Sequence, residues 1–417
     1  TLWLAANKLE KMATSDLHIK KINGIESTSG MAWLINDDGI TSIFDVAGSY
    51  ELDIKKTKAT PLVHVNETSK GYIYNALTTK NGVWIGGYYG LFKNNYRLTK
   101  IDNLSHLIDN KIVQCIKQIT PDYIAVCVAN INYSEIQCEL EELGWQDVAH
   151  FYDVAEAYRD RHPLSNGWFC NDLSQQESTD ISVVLDSWYD DKSRAYHLQF
   201  LAWRFLRQDW LFSDAPMMTD NRYLIPEITS LLSNEEVFVD IGGHTGETSQ
   251  LLLDAVECSF EQLWVFEPDT INFKKLEIRF DDFESDVKSR VNIDSRAIGS
   301  KKNKRQFFGG AGYASQLTTI GNTQVNVIDF DSLNIPVTFM KLHLEGAELD
   351  ALKGAKQSLQ RFRPIVVATS YHNHLGVSEM PKWLMENLGE YRFLYRLHSG
   401  CGTGAVIYAI PEERYSN

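Results

Sequence analysis

The sequence predicts an α/β protein whose C-terminal part, residues 226–417, is a doubly wound sheet. A smaller α/β N-terminal domain is expected over 1–160, and a helical, Trp-rich connector over 161–225. Three observations carry this reading. From residue 235 onward, short apolar runs alternate with helical periodicity in the order that places strands between layers of helices. The apolar strand at Val237–Ile241 runs straight into a glycine-rich turn and then a helix with a polar first turn. The chain has 417 residues, whereas single cores stop growing at roughly 250–300 residues, so two or three domains are expected.

Composition narrows the class. Hydrophobic residues make up 44% and charged residues 23%, as in ordinary globular proteins, and this excludes disorder as the dominant state. The formal net charge of −15 makes a general nucleic-acid binder unexpected, because phosphate contacts need clustered cations. The basic run Lys301–Arg305 has no interleaved aromatics and reads as a solvated turn. Six cysteines fall outside any C-x-x-C pattern, which suits a reducing compartment. No run of 18 apolar residues suggests a membrane span. The opening residues lack the basic and apolar regions of a signal peptide, so a cytoplasmic protein is expected.

Residues 1–110 lean towards strands separated by Gly, Asp and Asn turns, with no repeat of 20–50 residues standing out. The segment Gly82–Phe92 reads as a strand with a glycine turn, since a glycine cluster without a βαβ context is a weak phosphate-loop signal. A strand is expected at Asp122–Ala129 and a helix at Tyr133–Gly144, with Gly144 as its C′ residue. A further strand at Val148–Tyr152 gives a parallel β–α–β order. Trp168, Trp188, Trp203 and Trp210 mark the connector as a packing element, and Ser193–Leu206 reads as an amphipathic helix. The doubly wound part follows: strand Val237–Ile241, helix Thr248–Ala255, strand Leu263–Glu267, helix Thr270–Leu276. Later strands are expected at Val291–Ser295, Val325–Ile328, Val337–Leu342 and Pro364–Thr369.

The strongest chemical signal is the turn holding Asp240, Gly242, Gly243 and Gly246. Missing Cβ atoms let backbone pass close to a ligand at the carboxyl edge of the sheet. The spacing is D-x-G-G-x-x-G, not G-x-G-x-x-G. A carboxylate at Asp240 repels a pyrophosphate and suits a ligand with a cationic part, such as the sulfonium and ammonium groups of S-adenosylmethionine. Glu267, ending the next strand, can accept both hydroxyls of a ribose, and Pro268 stiffens the turn behind it.

These residues resemble the FkbM-type family of S-adenosylmethionine-dependent methyltransferases over nearly all of 235–411. The opening motif Val239–Thr248 is followed by Phe266–Asp269, Ala297–Gly299, Ser315, Val325–Asp331, Lys341–Leu349, Ser370–His372 and Val406–Pro411. The resemblance implies a Rossmann-like class I methyltransferase sheet. It implies that the loop from Asp240 to Gly246 holds the methionine end of the cofactor and that Glu267 binds its ribose. Ala297 and Ile298 would flank the adenine, with Glu247, Thr248 and Ser315 lining the same cleft. It also implies an O-methyltransferase acting on a hydroxyl of a sugar, polysaccharide precursor or secondary metabolite. The N-terminal half would recognise the acceptor or a partner, or form a homo-oligomer.

Two positions depart from the family pattern. Lys-x-Asp-x-Glu-Gly becomes Lys-x-His-x-Glu-Gly at His343, and Gly404 stands where a Glu is common. A hydroxyl acceptor needs a general base. The candidates are His343 and His372, with His398 behind them, and Glu345 would orient a base or the substrate. Histidine at 343 disfavours Mg²⁺, which prefers oxygen ligands. No metal site is assigned; His372 and His374 alone are a weak ligand pair, and a three-ligand catalytic zinc stays open. The alternatives are a degenerate cofactor-binding module without turnover and a nicotinamide-dependent oxidoreductase or epimerase, against which Asp240 argues.

Overall fold

The computed structural model describes the strands between Ala32 and Cys127, residues 132–150 apart from 143 and 146, and residues 173–415 apart from 220. Trp168 and the end of the strand expected at Val148–Tyr152 lie outside the described residues. The chain divides into two units, Thr1–Val154 and Ala155–Asn417.

Unit one holds two successive four-stranded antiparallel meanders. The first uses Ala32–Ile35, Ile40–Asp45, Gly48–Asp53 and Lys58–Val63; the second uses Ile73–Thr79, Gly82–Gly87, Gly90–Asn94 and Leu98–Lys100. The glycine-rich segment is therefore an antiparallel hairpin, with Val83 opposite Asn94. The two meanders repeat an architecture that no residue motif announces, because a meander needs only strand formers and turn residues. Next, Tyr123–Cys127 pairs in parallel with Asp147–His150 and antiparallel with Cys115–Thr120. Helix Tyr133–Glu142 makes the crossover. Gly144, at φ +95°, ends it as expected, donating its N–H to the Glu141 carbonyl at 2.9 Å.

In unit two, seven strands form the main sheet: β1 (Val237–Ile241), β2 (Gln262–Phe266), β3 (Val291–Asp294), β4 (Phe339–Leu342), β5 (Ile365–Thr369), β6 (Tyr391–Leu397) and β7 (Ala405–Pro411). Their order is β3-β2-β1-β4-β5-β7-β6. The first five are parallel, and β7 runs antiparallel to both neighbours. Every residue of β1 is buried, as a strand covered on both faces requires. Alternate residues serve the two faces. Val237, Val239 and Ile241 pack with Met340, Leu342 and Val366, while Phe238 packs with Leu263, Val265 and Phe339. Strand order reverses between β1 and β4, so their carboxyl ends frame the crevice where open α/β sheets bind ligands.

One expected strand of this sheet sits elsewhere. Thr323–Ile328, which contains Val325–Ile328, belongs to a four-stranded side sheet with Ala297–Ile298, Asn303–Phe308 and Gln316–Leu317. Burial explains the split: the outer part of Thr323–Ile328 is exposed, whereas the main-sheet strands β1, β4 and β5 are buried throughout.

Helices α1 (Gln175–Ser187) and α2 (Asp191–Leu201) precede the sheet, and α2 continues into a π-helical turn at Ala202–Leu206. Ser174 caps α1 through a reciprocal box with Glu177. Trp188, Tyr196 and Phe200 enter the same core as β1 and β4, and Ser193 Oγ accepts the Tyr395 N–H of β6 at 2.9 Å. Among the described residues, no helix is long and apolar enough to cross a membrane.

Candidate functional site

The glycine loop follows β1 because nothing larger fits there. A Cβ on Gly242 would lie 2.1 Å from the His343 carbonyl oxygen, and one on Gly243 would lie 2.1 Å from Val265 Cγ1. Both loop N–H groups donate to the Phe266 carbonyl, at 2.9 and 3.0 Å. The loop is thus clamped between β2 and β4 before helix α3 (Glu247–Ala255) begins.

Asp240 is fully buried. Its Oδ1 lies 2.7 Å from Lys341 Nζ and its Oδ2 accepts from Ser249 Oγ at 2.7 Å. Lys341 Nζ also donates to the Gly242 carbonyl at 2.7 Å. The carboxylate expected to face a cationic ligand group is therefore neutralised by Lys341, and it acts on the loop through that ammonium.

Glu267 ends β2 as expected. Its Oε2 accepts the His244 N–H and its Oε1 the Asp269 N–H, both at 2.8 Å. Burial pushes its carboxyl up to about 7, although those two N–H groups pull the other way. Each oxygen keeps a further lone pair, so two ribose hydroxyls can still donate to it. Asp269 caps helix α4 (Thr270–Asp281) through Oδ1, while its Oδ2 accepts from Ser315 Oγ at 2.7 Å and the Gly310 N–H at 2.6 Å. Ser315 thus ties the 310–315 loop to the Glu267 turn. That loop stacks Tyr313 on His244, with ring centroids 3.9 Å apart.

Glu247, at the start of α3, is held down at about 2, chiefly by His244 and also by the Thr245 hydroxyl. Thr248 follows it, half-buried, in the first turn of α3, and Pro268 is half-buried behind Glu267. Ala297 and Ile298 are buried and pair with Val327 and Ile328.

The histidine candidates separate sharply. His343 and His372, at the ends of β4 and β5, have ring centroids 4.9 Å apart. His343 Nε2 lies 3.0 Å from Glu345 Oε1, and its Nδ1 lies 2.5 Å from the Tyr223 hydroxyl. His372 Nδ1 lies 2.8 Å from Glu348 Oε1, and its Nε2 lies 3.2 Å from Glu345 Oε1. Glu345 sits in the left-handed region, at φ +52°. His398 instead bonds the Tyr408 hydroxyl at 2.6 Å, and His374 opens a short 3₁₀ turn.

Electrostatics makes these groups unequal. Burial lowers His343 to about 4 despite the Glu345 carboxylate, so the ring is neutral. Burial works against charge on His372 too, but Glu345 and Glu348 outweigh it and raise the ring well above its usual value. The two rings in turn hold the Glu345 carboxyl far below the ordinary range, against the effect of burial. His372 therefore carries its proton already, and both His343 nitrogens are engaged. Neither ring stands as an isolated base; the cluster works as a unit.

Several members of the site carry no individual signal. Lys341 and Glu348 lie within recognisable motifs, but a buried ion pair cannot be read from spacing. Tyr223 comes from a segment without any motif, and Tyr371 lies within the Ser370–His372 motif but is not among the candidates. Tyr223 stands 5.3 Å from Lys341 Nζ by its ring centroid, and Arg222 donates to the Tyr371 hydroxyl at 3.3 Å. Gly404 lies in the turn between β6 and β7, at φ +65°.

A β3-β2-β1-β4-β5-β7-β6 sheet with a glycine loop and a strand-end glutamate at its crevice is a Rossmann-like fold of the class I methyltransferase type. Residues 240–395 match the model of the Methyltransferase FkbM domain. A methyltransferase FkbM from Methylobacillus flagellatus KT has a similar fold, with a TM-score of 0.52 and 18% identity over 67% of this chain and 72% of that one. An rRNA methylase from Streptococcus thermophilus aligns with a TM-score of 0.30 and 9% identity over 44% of this chain and 90% of that one. No curated protein sequence matches.

Proposed function

We propose that this domain transfers a methyl group from S-adenosylmethionine to a hydroxyl oxygen of a polar, carbohydrate-like acceptor. The observation that carries the reading is the juxtaposition across the β1–β4 crevice: a glycine loop and Glu267 on one side, the His343–Glu345–His372 cluster on the other. Asp240, Gly242, Gly243 and Gly246 would shape the cradle for the methionine end. Glu267 would hold the ribose, Ala297 and Ile298 would flank the adenine, and Glu247, Thr248, Pro268 and Ser315 would complete the wall.

When bound, S-adenosylmethionine supplies a methyl carbon activated by its sulfonium. The acceptor oxygen forms its bond to that carbon as the carbon–sulfur bond breaks, and the electron pair stays on sulfur. Alignment supplies most of the rate in such a displacement, and the hydroxyl proton must still be drawn off. The cluster is suited to that task, because it gathers two imidazoles and two carboxylates at the ends of β4 and β5. A groove of about 620 Å³ opens beside Glu345, lined by Arg305, Asp350, Lys353 and Asn373 among others. Such a mixed-charge polar wall favours an acceptor rich in hydroxyls.

Calorimetry with S-adenosylmethionine and NAD⁺ separates this reading from a nicotinamide enzyme. Binding of the first alone, followed by release of S-adenosylhomocysteine with a panel of sugars, is expected. Binding of NAD⁺ without S-adenosylmethionine would overturn it.

A further inference from the structure

We infer that His343, Glu345 and His372 together form a binding site for one divalent transition-metal ion of the zinc class. Among the described residues, this is the one group of three such side chains able to converge on an ion, with candidate ligand atoms all within 4.8 Å of one another. Two edges of the triangle, His343 Nε2–Glu345 Oε1 and His372 Nε2–Glu345 Oε1, measure 3.0 and 3.2 Å. Ligands held about 2.0–2.1 Å from a tetrahedral zinc stand roughly 3.3 Å apart, so these two edges already match, and the histidine–histidine edge lies within 4.8 Å.

Three independent features support the site. His372 is 2% exposed, and its Nε2 faces Glu345 Oε1 at 3.2 Å with no other polar partner. Buried polar atoms are nearly always satisfied, and an ion held between the two atoms would satisfy both. Second, the far nitrogen of each ring is already oriented: His372 Nδ1 against Glu348 at 2.8 Å and His343 Nδ1 against the Tyr223 hydroxyl at 2.5 Å. That is the outer-shell pattern of metal-bound histidines. Third, Glu345 and Glu348 are both buried carboxylates set against the same imidazole, that of His372, at 3.2 and 2.8 Å, while Lys341 is taken up by Asp240. A divalent ion balances both.

Two imidazoles and one carboxylate select Zn²⁺ or a similar borderline ion over Mg²⁺. Histidine at 343, where the resembling family has aspartate, thus supplies a nitrogen ligand that favours Zn²⁺ over Mg²⁺. Three protein ligands leave an open position, and one of the three, Glu345, lines the neighbouring groove. An ion there would lower the pKa of a hydroxyl laid against it, releasing the proton to water. That use rests on the proposed methyl transfer; the existence of the site does not.

The test uses the full chain, stripped with a chelator and titrated with Zn²⁺ against a chromophoric competitor, and with Co²⁺ followed by its visible bands. One Zn²⁺ per chain is expected. His343→Ala and Glu345→Gln should each weaken it roughly 100-fold or more, and Tyr223→Phe about 10-fold. His343→Asp should lose the preference for Zn²⁺ over Mg²⁺. Melting curves and S-adenosylmethionine calorimetry confirm that each variant folds. Absence of stoichiometric Zn²⁺, or equal Zn²⁺ affinity in His343→Ala and Glu345→Gln, overturns the inference. Donor binding by the metal-free chain is read separately. Its loss alongside intact Zn²⁺ binding sinks the methyltransferase reading and leaves the metal site standing.

Discussion

Lys341 Nζ lies 2.7 Å from Asp240 Oδ1, with the two side chains 2% and 0% exposed. The same ammonium reaches the Gly242 carbonyl, so one ion pair joins β1 to β4 and pins the loop between them. Breaking a buried pair leaves an uncompensated charge and costs about 3–5 kcal/mol, while removing both partners costs much less. Lys341→Met should therefore lower unfolding stability by about that amount in urea titrations. Adding Asp240→Asn should recover part of the loss. A Lys341→Met variant as stable as the parent would show that the pair does not hold the loop.

Glu267 sets a pH dependence of opposite sign for folding and for binding. Its folded-state carboxyl stands at about 7, raised by burial above an unfolded value of 4.5. The contribution to stability is fully present below pH 4.5 and is lost as pH rises through 7. Ribose hydroxyls donate best to the ionised form, so donor affinity should rise across the same window. Calorimetry of S-adenosylmethionine at pH 6 and pH 8 should show tighter binding at pH 8. Glu267→Ala should weaken binding and abolish that trend; unchanged affinity would sink the ribose assignment.

Gly243 offers a test with a built-in rescue. An added Cβ meets Val265 Cγ1 at 2.1 Å, but Val265 Cβ only at 3.7 Å. Gly243→Ala should shift the loop, weaken donor binding at least about tenfold and destabilise the fold by about 1–3 kcal/mol. Val265→Ala removes the clashing methyl, so the double variant should bind more tightly than Gly243→Ala alone. A double variant no better than the single would mean that Gly243 serves ligand approach and not packing.

Helices α1 and α2 should prove inseparable from the sheet. Trp188, Tyr196 and Phe200 are each at most 1% exposed in its core. Truncating one such residue costs roughly 3–5 kcal/mol, against a typical total of about 5–15. A fragment of residues 226–417 should fail to unfold cooperatively, whereas 173–417 should melt as one unit in calorimetry. Cooperative melting of the shorter fragment would contradict this.

Much of the site was legible because its chemistry is local in sequence. The glycine turn, Glu267 and the Lys341–Glu348 segment each sit at a strand end, where periodicity gives way to conspicuous residues. Tyr223 was invisible for the opposite reason: its hydroxyl meets a ring 120 residues away, and no pattern around it signals that contact. Asp240 shows a subtler limit. Its position was readable, but its ion-pair partner is a lysine 101 residues downstream. The side sheet was misjudged because Thr323–Ile328 has strand residues like any other, and only burial separates an outer sheet from a covered one.

By itself, the sequence determined the alternation of strands and helices from residue 235 and the glycine loop with its strand-end glutamate. It also carried the family resemblance and the departure at His343. Each depends on neighbours within a few residues, so spacing suffices. Only the tertiary structure decided that β1 and β4 lie side by side where the order reverses. It alone brought Glu345 between two histidines, gave one ring a proton and left the other neutral. Charge, burial and ligand geometry arise between segments far apart in the chain, and so appear only once the sheet has closed around them.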